Sequence, residues 1–247
     1  MEEIFYEIFE DLPSQGPGDA KSTQKAFLKI VGLPSDPDIL DIGCGVGRQT
    51  LDLAKLTSGR ITALDNHRPF LEKLDERVQT KDLLAEIQTV QGDMAALNFG
   101  EESFDLIWSE GSAYIMGFEK AMKAWRPLLR PGGSLVISHI VWFKKDRPKE
   151  IEKFWAEEWP DIKFYKDNNV IVEESGYALI DYFPLPHESW WTQYYHPTKK
   201  KLERMRIKYK DNRDAHGIFD SFQLELDMHK KYSKYYGYGF YIMKRSD

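Results

Sequence analysis

The stretch Leu40-Asp41-Ile42-Gly43-Cys44-Gly45-Val46-Gly47 constrains this chain more than any other part of it. A short apolar run ends in an acid and enters three glycines at alternate positions, and a helical pattern, Gln49–Leu56, follows at once. Glycine tolerates positive φ and lets a ligand approach the backbone closely. A strand that turns so sharply into a helix belongs to a crossover unit, the connection that parallel strands need. The dinucleotide pattern G-x-G-x-x-G has the same look. Here the third glycine comes one residue early and Arg48 stands at the dinucleotide position, which disfavours a nicotinamide cofactor.

The rest of the first 143 residues repeats the alternation. Asp38–Ile42, Arg60–Leu64, Glu86–Gln91, Phe104–Trp108 and Ser134–Val141 read as strands. Gln49–Leu56, Pro69–Val78 and Phe118–Leu129 read as the helices between them, the last broken by Arg130-Pro131-Gly132-Gly133. Residues 4–10 form a short helix ahead of the loop Pro13–Gly18, and Ser22 is placed to cap a helix through Lys29. Beyond Phe143, 148–158 and Asn169–Glu174 read as helices, the second stopped by Gly176. Tyr177–Phe183 and Tyr238–Lys244 read as an antiparallel pair of last strands. Between them His187–Tyr236 is too long and too aromatic for a hairpin loop, so it reads as a lid.

The expected fold is therefore α/β: a doubly wound, mostly parallel seven-stranded sheet with an antiparallel last strand. A single domain is expected over 1–247, with an N-terminal helical lid (1–30), a ligand-binding core (31–143), the C-terminal half of the sheet (144–186 and 237–247) and a lid insertion (187–236).

Charge and composition narrow the function. The net charge of −6 argues against a diffuse nucleic-acid surface, which needs excess positive charge. The basic run Lys199-Lys200-Lys201 reads as a solvated helix face. The single cysteine, Cys44, allows no internal disulfide and no thiolate zinc cluster, and no metal is expected. The start MEEIFYEIFEDL lacks the basic and apolar regions of a signal peptide, and no apolar run approaches the ~20 residues of a membrane span. The expectation is a cytoplasmic protein with a small-molecule substrate and neither nucleic-acid nor membrane partners; a homodimer is compatible with the sequence.

Four further segments lie in register with the glycine turn. Ile61–Asp65 ends the second strand in an acid 22 residues after Gly43; Val90-Gln91-Gly92-Asp93-Met94 ends the third; Phe104–Glu110 is the fourth strand; Leu128–Gly133 precedes the fifth. Together, over residues 38–142, these resemble the motifs of the class I S-adenosylmethionine-dependent methyltransferases, of the small-molecule type. The resemblance implies a Rossmann-like methyltransferase fold, S-adenosylmethionine as cofactor and S-adenosylhomocysteine as product. It implies cofactor contacts at Asp41, Gly43, Cys44, Gly45, Asp65, Asn66, Gly92, Asp93, Met94 and Glu110. Asp65 would bind the ribose hydroxyls and Asp93 the adenine amino group. Each acid also has a plainer role available: Asp41 in the turn, Asp65 as a cap of the helix near Arg68, Asp93 in Gly-Asp turn chemistry.

Methyl transfer from a sulfonium requires alignment of the nucleophile, exclusion of water, and removal of a proton from an ammonium acceptor. Ligands of open α/β sheets bind at the carboxyl ends of strands. That places Glu110, Tyr114 and His139 as catalytic candidates and Trp142, Trp191 and Tyr194 as walls of the substrate site, the aromatics suited to cation–π contact. His139 equally suits a hydrogen-bonded strand histidine. Trp190 reads as core beneath the lid, and Glu119 as a helix N-terminal acid. The leading expectation is methylation of N or O on a small molecule, an amine. Aminopropyl transfer on the same fold, and a non-catalytic cofactor-binding module, are the alternatives.

Overall fold

The computed structural model describes residues 2–81, 83 and 85–247. Met1 of the expected N-terminal lid, and Asp82 and Leu84 of the expected core, lie outside the described residues.

Among the described residues, eight strands form one sheet: β1 (Asp38–Ile42), β2 (Arg60–Asp65), β3 (Glu86–Gln91), β4 (Phe104–Glu110), β5 (Leu129–Trp142), β6 (Lys163–Phe164), β7 (Tyr177–Pro184) and β8 (Tyr236–Arg245). The order is β3-β2-β1-β4-β5-β8-β7. The first five strands run parallel, and β8 lies antiparallel to both β5 and β7. The expected seven strands are present with the expected direction of the last. The eighth, β6, pairs only Lys163 and Phe164 with the end of β5, too few residues for a periodic signal in sequence.

Burial on both faces explains the apolar strands. Ile39, Leu106, Trp108, Val136, Ile140 and Phe240 point to one face, while Leu40, Ile107, Leu135, Ile137 and Tyr241 alternate to the other. Strand β5 starts earlier than expected, at Leu129. Arg130 to Gly133 loop out between the pairings Phe104–Leu129 and Leu106–Ser134, with Gly132 at φ 70°. Inside β8, Gly239 leaves space that the Tyr182 ring takes: an added Cβ would stand 2.4 Å from Tyr182 Cε2.

The helices in chain order are α1 (Glu2–Phe9), α2 (Ala20–Phe27), α3 (Arg48–Leu53), α4 (Arg68–Gln79), α5 (Phe118–Trp125), α6 (Lys149–Glu158), α7 (Asp167–Glu174), α8 (His187–Trp190), α9 (His196–Lys208) and α10 (Arg213–Tyr232). The cap of α2 is Asp19 rather than Ser22. Its carboxylate accepts from the Ser22 amide at 2.9 Å and from the Ser22 hydroxyl at 2.7 Å, so Ser22 sits one turn inside. Helix α5 stops short of Leu129 because Pro127 lies in the 3₁₀ turn that follows. A π-helical turn, Trp191–Tyr195, joins α8 to α9.

The two expected lids are packed on each other. Phe5 and Phe9 of α1 meet Phe222 of α10, with ring centroids 6.0 and 5.4 Å apart. Glu7 accepts hydrogen bonds from Lys208 Nζ at 2.6 Å and from the Tyr209 hydroxyl at 2.7 Å. One roof therefore spans the carboxyl ends of the strands, built from both ends of the chain.

Candidate active site

The site begins where β1 ends. Gly43, Gly45 and Gly47 have φ of 72°, 55° and 81°, values that an L side chain rarely adopts. The amides of Gly43 and Cys44 both donate to the Leu64 carbonyl, at 2.8 and 3.0 Å, which ties the turn to the end of β2. Behind the turn, Asp41 is 0% exposed. Its carboxylate accepts from the Thr50 hydroxyl at 2.6 Å and from Gln49 Nε2 at 3.3 Å. Burial pushes its pKa up to about 7 against the pull of those two donors. The geometry thus turns Asp41 toward α3, and it does not line the cavity as a cofactor contact would.

In front of the turn, between the strand ends and the roof, lies a cavity of about 680 Å³. That volume falls in the range of small-molecule and cofactor sites, roughly 300–1,000 Å³. Of the expected cofactor residues, Gly43, Cys44, Gly45, Asp65, Asn66, Gly92, Asp93, Met94 and Glu110 line it. Asp65 accepts from the Gly45 amide at 2.8 Å and from the His67 amide at 2.9 Å, so its carboxylate braces the glycine turn and the entry to α4. Burial raises its pKa. Asp93 accepts from the Ala95 amide at 2.8 Å, as in ordinary turn chemistry, and also lines the cavity.

Glu110 is not a free base. Its carboxylate accepts from Trp108 Nε1 at 2.9 Å and from the Thr23 hydroxyl at 2.8 Å, and is ion-paired with Arg48. Three donors from three elements occupy it, which suits an anchor for α2 and α3 more than proton transfer. His139 lies elsewhere. It shares a sheet face with Leu135 and Ile137, stacks on Phe118 with centroids 4.7 Å apart, and fronts a separate depression with Gly117, Lys163 and Asn168. Among the described residues its Nδ1 has no hydrogen-bond partner, and burial drives its pKa down to about 3. The strand alternation therefore corrects the expectation that His139 would meet a substrate beside Glu110.

Of the expected walls, Tyr194 lines the cavity, and so does Tyr114, whose ring edge rests on Trp159 at 5.3 Å. Trp142 does not: it is buried under the Arg147 guanidinium, 4.3 Å away, against Tyr236. Nor does Trp191, which donates from Nε1 to His187 Nε2 at 3.2 Å. The π turn sets these neighbours apart, aiming Tyr194 into the cavity and leaving Trp191 on the outer side.

Sequence reading expected two lids but did not single out most of the residues with which they face the cavity. Phe5, Tyr6 and Phe9 from α1, Gln15 from the following loop, Glu158 at the end of α6, and Ile218, Ser221, Phe222 and Glu225 from α10 also line the cavity. The last four recur at i, i+3, i+4 and i+7, a helical stripe that was available as a signal. Gln15 reaches the glycine turn itself, accepting from the Val46 amide at 2.9 Å and donating to the Phe9 carbonyl at 3.0 Å. Gly45 leaves the space for it: an added Cβ would stand 2.4 Å from Gln15 Oε1.

A nucleoside with an amino-acid tail fits these residues. The glycine turn is a cradle that side chains would fill, since a Cβ on Gly43 would stand 2.4 Å from Ser112 Oγ and 3.6 Å from Met94 Cε. Asp65 and Asp93 place acceptors at the ends of β2 and β3, where hydroxyl and amino groups can donate, and Leu64 and Met94 offer apolar surface between them.

Comparison with known proteins agrees with this geometry. Residues 39–133 match the methyltransferase domain family. Over that stretch the chain resembles a methyltransferase domain. Solved structures that share this fold include S-adenosylmethionine-dependent methyltransferases in complex with S-adenosylhomocysteine. Methyltransferase GfsG of Streptomyces halstedii is 33% identical over 104 residues, 42% of this chain and 37% of that protein. Sterol 24-C-methyltransferase erg-4 of Neurospora crassa is 29% identical over 108 residues, 43% of this chain and 28% of that protein. The chain thus spans roughly a third of the length of these curated relatives. A solved S-adenosylmethionine-dependent methyltransferase from Geobacter sulfurreducens, in complex with S-adenosylhomocysteine, superposes with a TM-score of 0.83 at 16% identity. That match covers 99% of this chain and 98% of the other, so the methyltransferase fold includes the roof and the last strands. Among the described residues, no helix is long and apolar enough to cross a membrane.

Proposed function

We propose that the chain transfers a methyl group from S-adenosylmethionine to nitrogen or oxygen of a small molecule, an amine, enclosed beneath the roof. The observation that carries this is the division of one cavity into two ends. Gly43, Gly45, Asp65, Asp93 and Met94 would hold the cofactor against the strand ends. Tyr114, Glu158, Tyr194 and Glu225 make the other end acidic and aromatic. When bound, the cofactor supplies an electrophilic methyl on a sulfonium. The chain's own part is to align an acceptor, keep water out with α1 and α10, and receive a proton. A concave site walled by the glycine turn, α1 and α10 suits a metabolite rather than a macromolecule.

Calorimetry on the full chain tests the reading. S-adenosylhomocysteine should bind, NAD should not, and Asp65→Asn should weaken S-adenosylhomocysteine by about 1.5–3 kcal/mol, the scale of charge-assisted hydrogen bonds. Binding of NAD with no response to either sulfur nucleoside would sink it.

A further inference from the structure

With Glu110 engaged and His139 on the wrong face, the cavity needs another group to meet an amine. Helix α10 supplies one. Its stripe Ile218, Ser221, Phe222 and Glu225 faces the cavity, and Glu225 lies one helical turn beyond Phe222. The Tyr195 hydroxyl donates to Glu225 Oε1 at 2.8 Å, which fixes the carboxylate, and among the described residues its other oxygen accepts no hydrogen bond. Glu158 stands exposed at the rim, where α6 ends. Among the described residues, the charged side chains that line the cavity are Arg48 and five acids, Asp65, Asp93, Glu110, Glu158 and Glu225. Arg48 is spent on Glu110. The field inside the cavity therefore favours a cation.

We propose, resting on the methyltransferase reading above, that Glu225 anchors a cationic amine acceptor and takes the proton the amine must lose before attack. The balance is simple. An N–H bond of the ammonium breaks, its electron pair stays on nitrogen as the nucleophilic lone pair, and the proton forms an O–H bond on the Glu225 carboxylate. The rings of Tyr114, Tyr194 and Phe222 flank the place where the alkyl or aryl part of such an amine would lie.

The surroundings suit that task. Burial raises the Glu225 carboxyl to about 7, Tyr195 opposing through its hydrogen bond and Glu158 adding to the rise through its charge. Above that pH the group is a carboxylate, and its conjugate acid is still a usable one. The other titratable groups around it are Tyr194 and Tyr195 of the π turn, Tyr114 after β4, and Tyr236 and Tyr238 of β8. Burial first, and then the Glu225 charge among other causes, keeps each of these phenols protonated. They remain neutral while Glu225 titrates.

The test uses the full chain saturated with S-adenosylhomocysteine, with benzylamine and benzyl alcohol as paired probes in calorimetry at pH 8. The protein should bind the amine at least about tenfold more tightly than the alcohol, the scale of one charge-assisted contact. That preference should fade as pH falls through 7. Glu225→Gln should erase it while leaving S-adenosylhomocysteine affinity unchanged. Tyr195→Phe should keep the preference and move its pH midpoint upward, because the lost hydrogen bond had favoured the carboxylate. Equal binding of both probes, binding of neither, or a Glu225→Gln protein that still prefers the amine overturns the assignment. Failure of the unmutated chain to bind S-adenosylhomocysteine at all is a separate result, which removes the methyltransferase reading itself.

Discussion

Arg48 and Glu110 are paired beneath the glycine turn, their side chains 7% and 1% exposed. The pair joins the first residue of α3 to the last of β4, and the Thr23 hydroxyl brings α2 into the same cluster through Glu110. Gly18 lets the guanidinium lie flat against the N-terminal loop, since an added Cβ there would stand 2.3 Å from Arg48 Nη2. A residue that stands where a dinucleotide fold has a glycine is here a buried cation with its counter-ion.

Breaking that pair should be expensive. Arg48→Met leaves the Glu110 charge buried and unpaired, and about 3–5 kcal/mol of stability should disappear. Adding Glu110→Gln should restore part of it, because a neutral amide oxygen can still accept from Thr23 and Trp108. Urea unfolding of the single and double variants measures this; a double variant no more stable than Arg48→Met would mean that the charge is not the cause.

Gln15 should control access to the cavity. Its side chain bridges the Val46 amide and the Phe9 carbonyl, so it clips the N-terminal loop onto the glycine turn. Gln15→Ala removes both hydrogen bonds and should speed proteolytic cleavage within residues 1–25 about tenfold, on the scale of one to two net hydrogen bonds. S-adenosylhomocysteine should slow cleavage of the unmutated chain at the same place and within 187–236. Identical digestion patterns for all samples would remove the clip and the lid together.

His139 should give the fold an acid limb. Its pKa is about 3 in the folded chain, against about 6.5 when unfolded. The unfolded chain therefore takes up the proton first. The stability due to neutral His139 is present above about pH 6.5 and is lost as pH falls toward 3, amounting to about 1.4 kcal/mol by pH 5.5. Asp41 acts in the opposite sense: its raised pKa favours the folded chain in acid, and that contribution fades as pH rises from about 4 to 7. The difference between the unmutated chain and His139→Gln isolates the histidine. Stability differences that stay constant from pH 7.5 to 5 would show that folding leaves the His139 pKa unshifted.

How much could be read in advance follows from the range of each interaction. The strand–turn–helix alternation and the three glycines depend on neighbours in sequence, so the parallel order β1–β5 and the cradle at Gly43–Gly47 were legible. So was the acid at the end of β2, since crossover units place strand ends side by side. The two last strands were legible too, from weak alternation in Tyr177–Phe183 and the apolar run Tyr238–Lys244. The two-residue β6 was not, because its pairing with Val141 and Trp142 leaves no period to detect.

By itself, the sequence determined the sheet, the glycine turn and the acids that frame one end of the cavity, because local geometry and period decide them. The tertiary structure alone decided which side chains meet at the other end. Strand parity sent His139 to the face covered by α5, a π turn separated Tyr194 from Trp191, and an ion pair over 62 residues of chain occupied Glu110. Glu225 faces the cavity because α10 packs on α1, at the opposite end of the chain. Those are contacts between distant segments, and they are set by burial and packing in three dimensions, which no short-range pattern encodes.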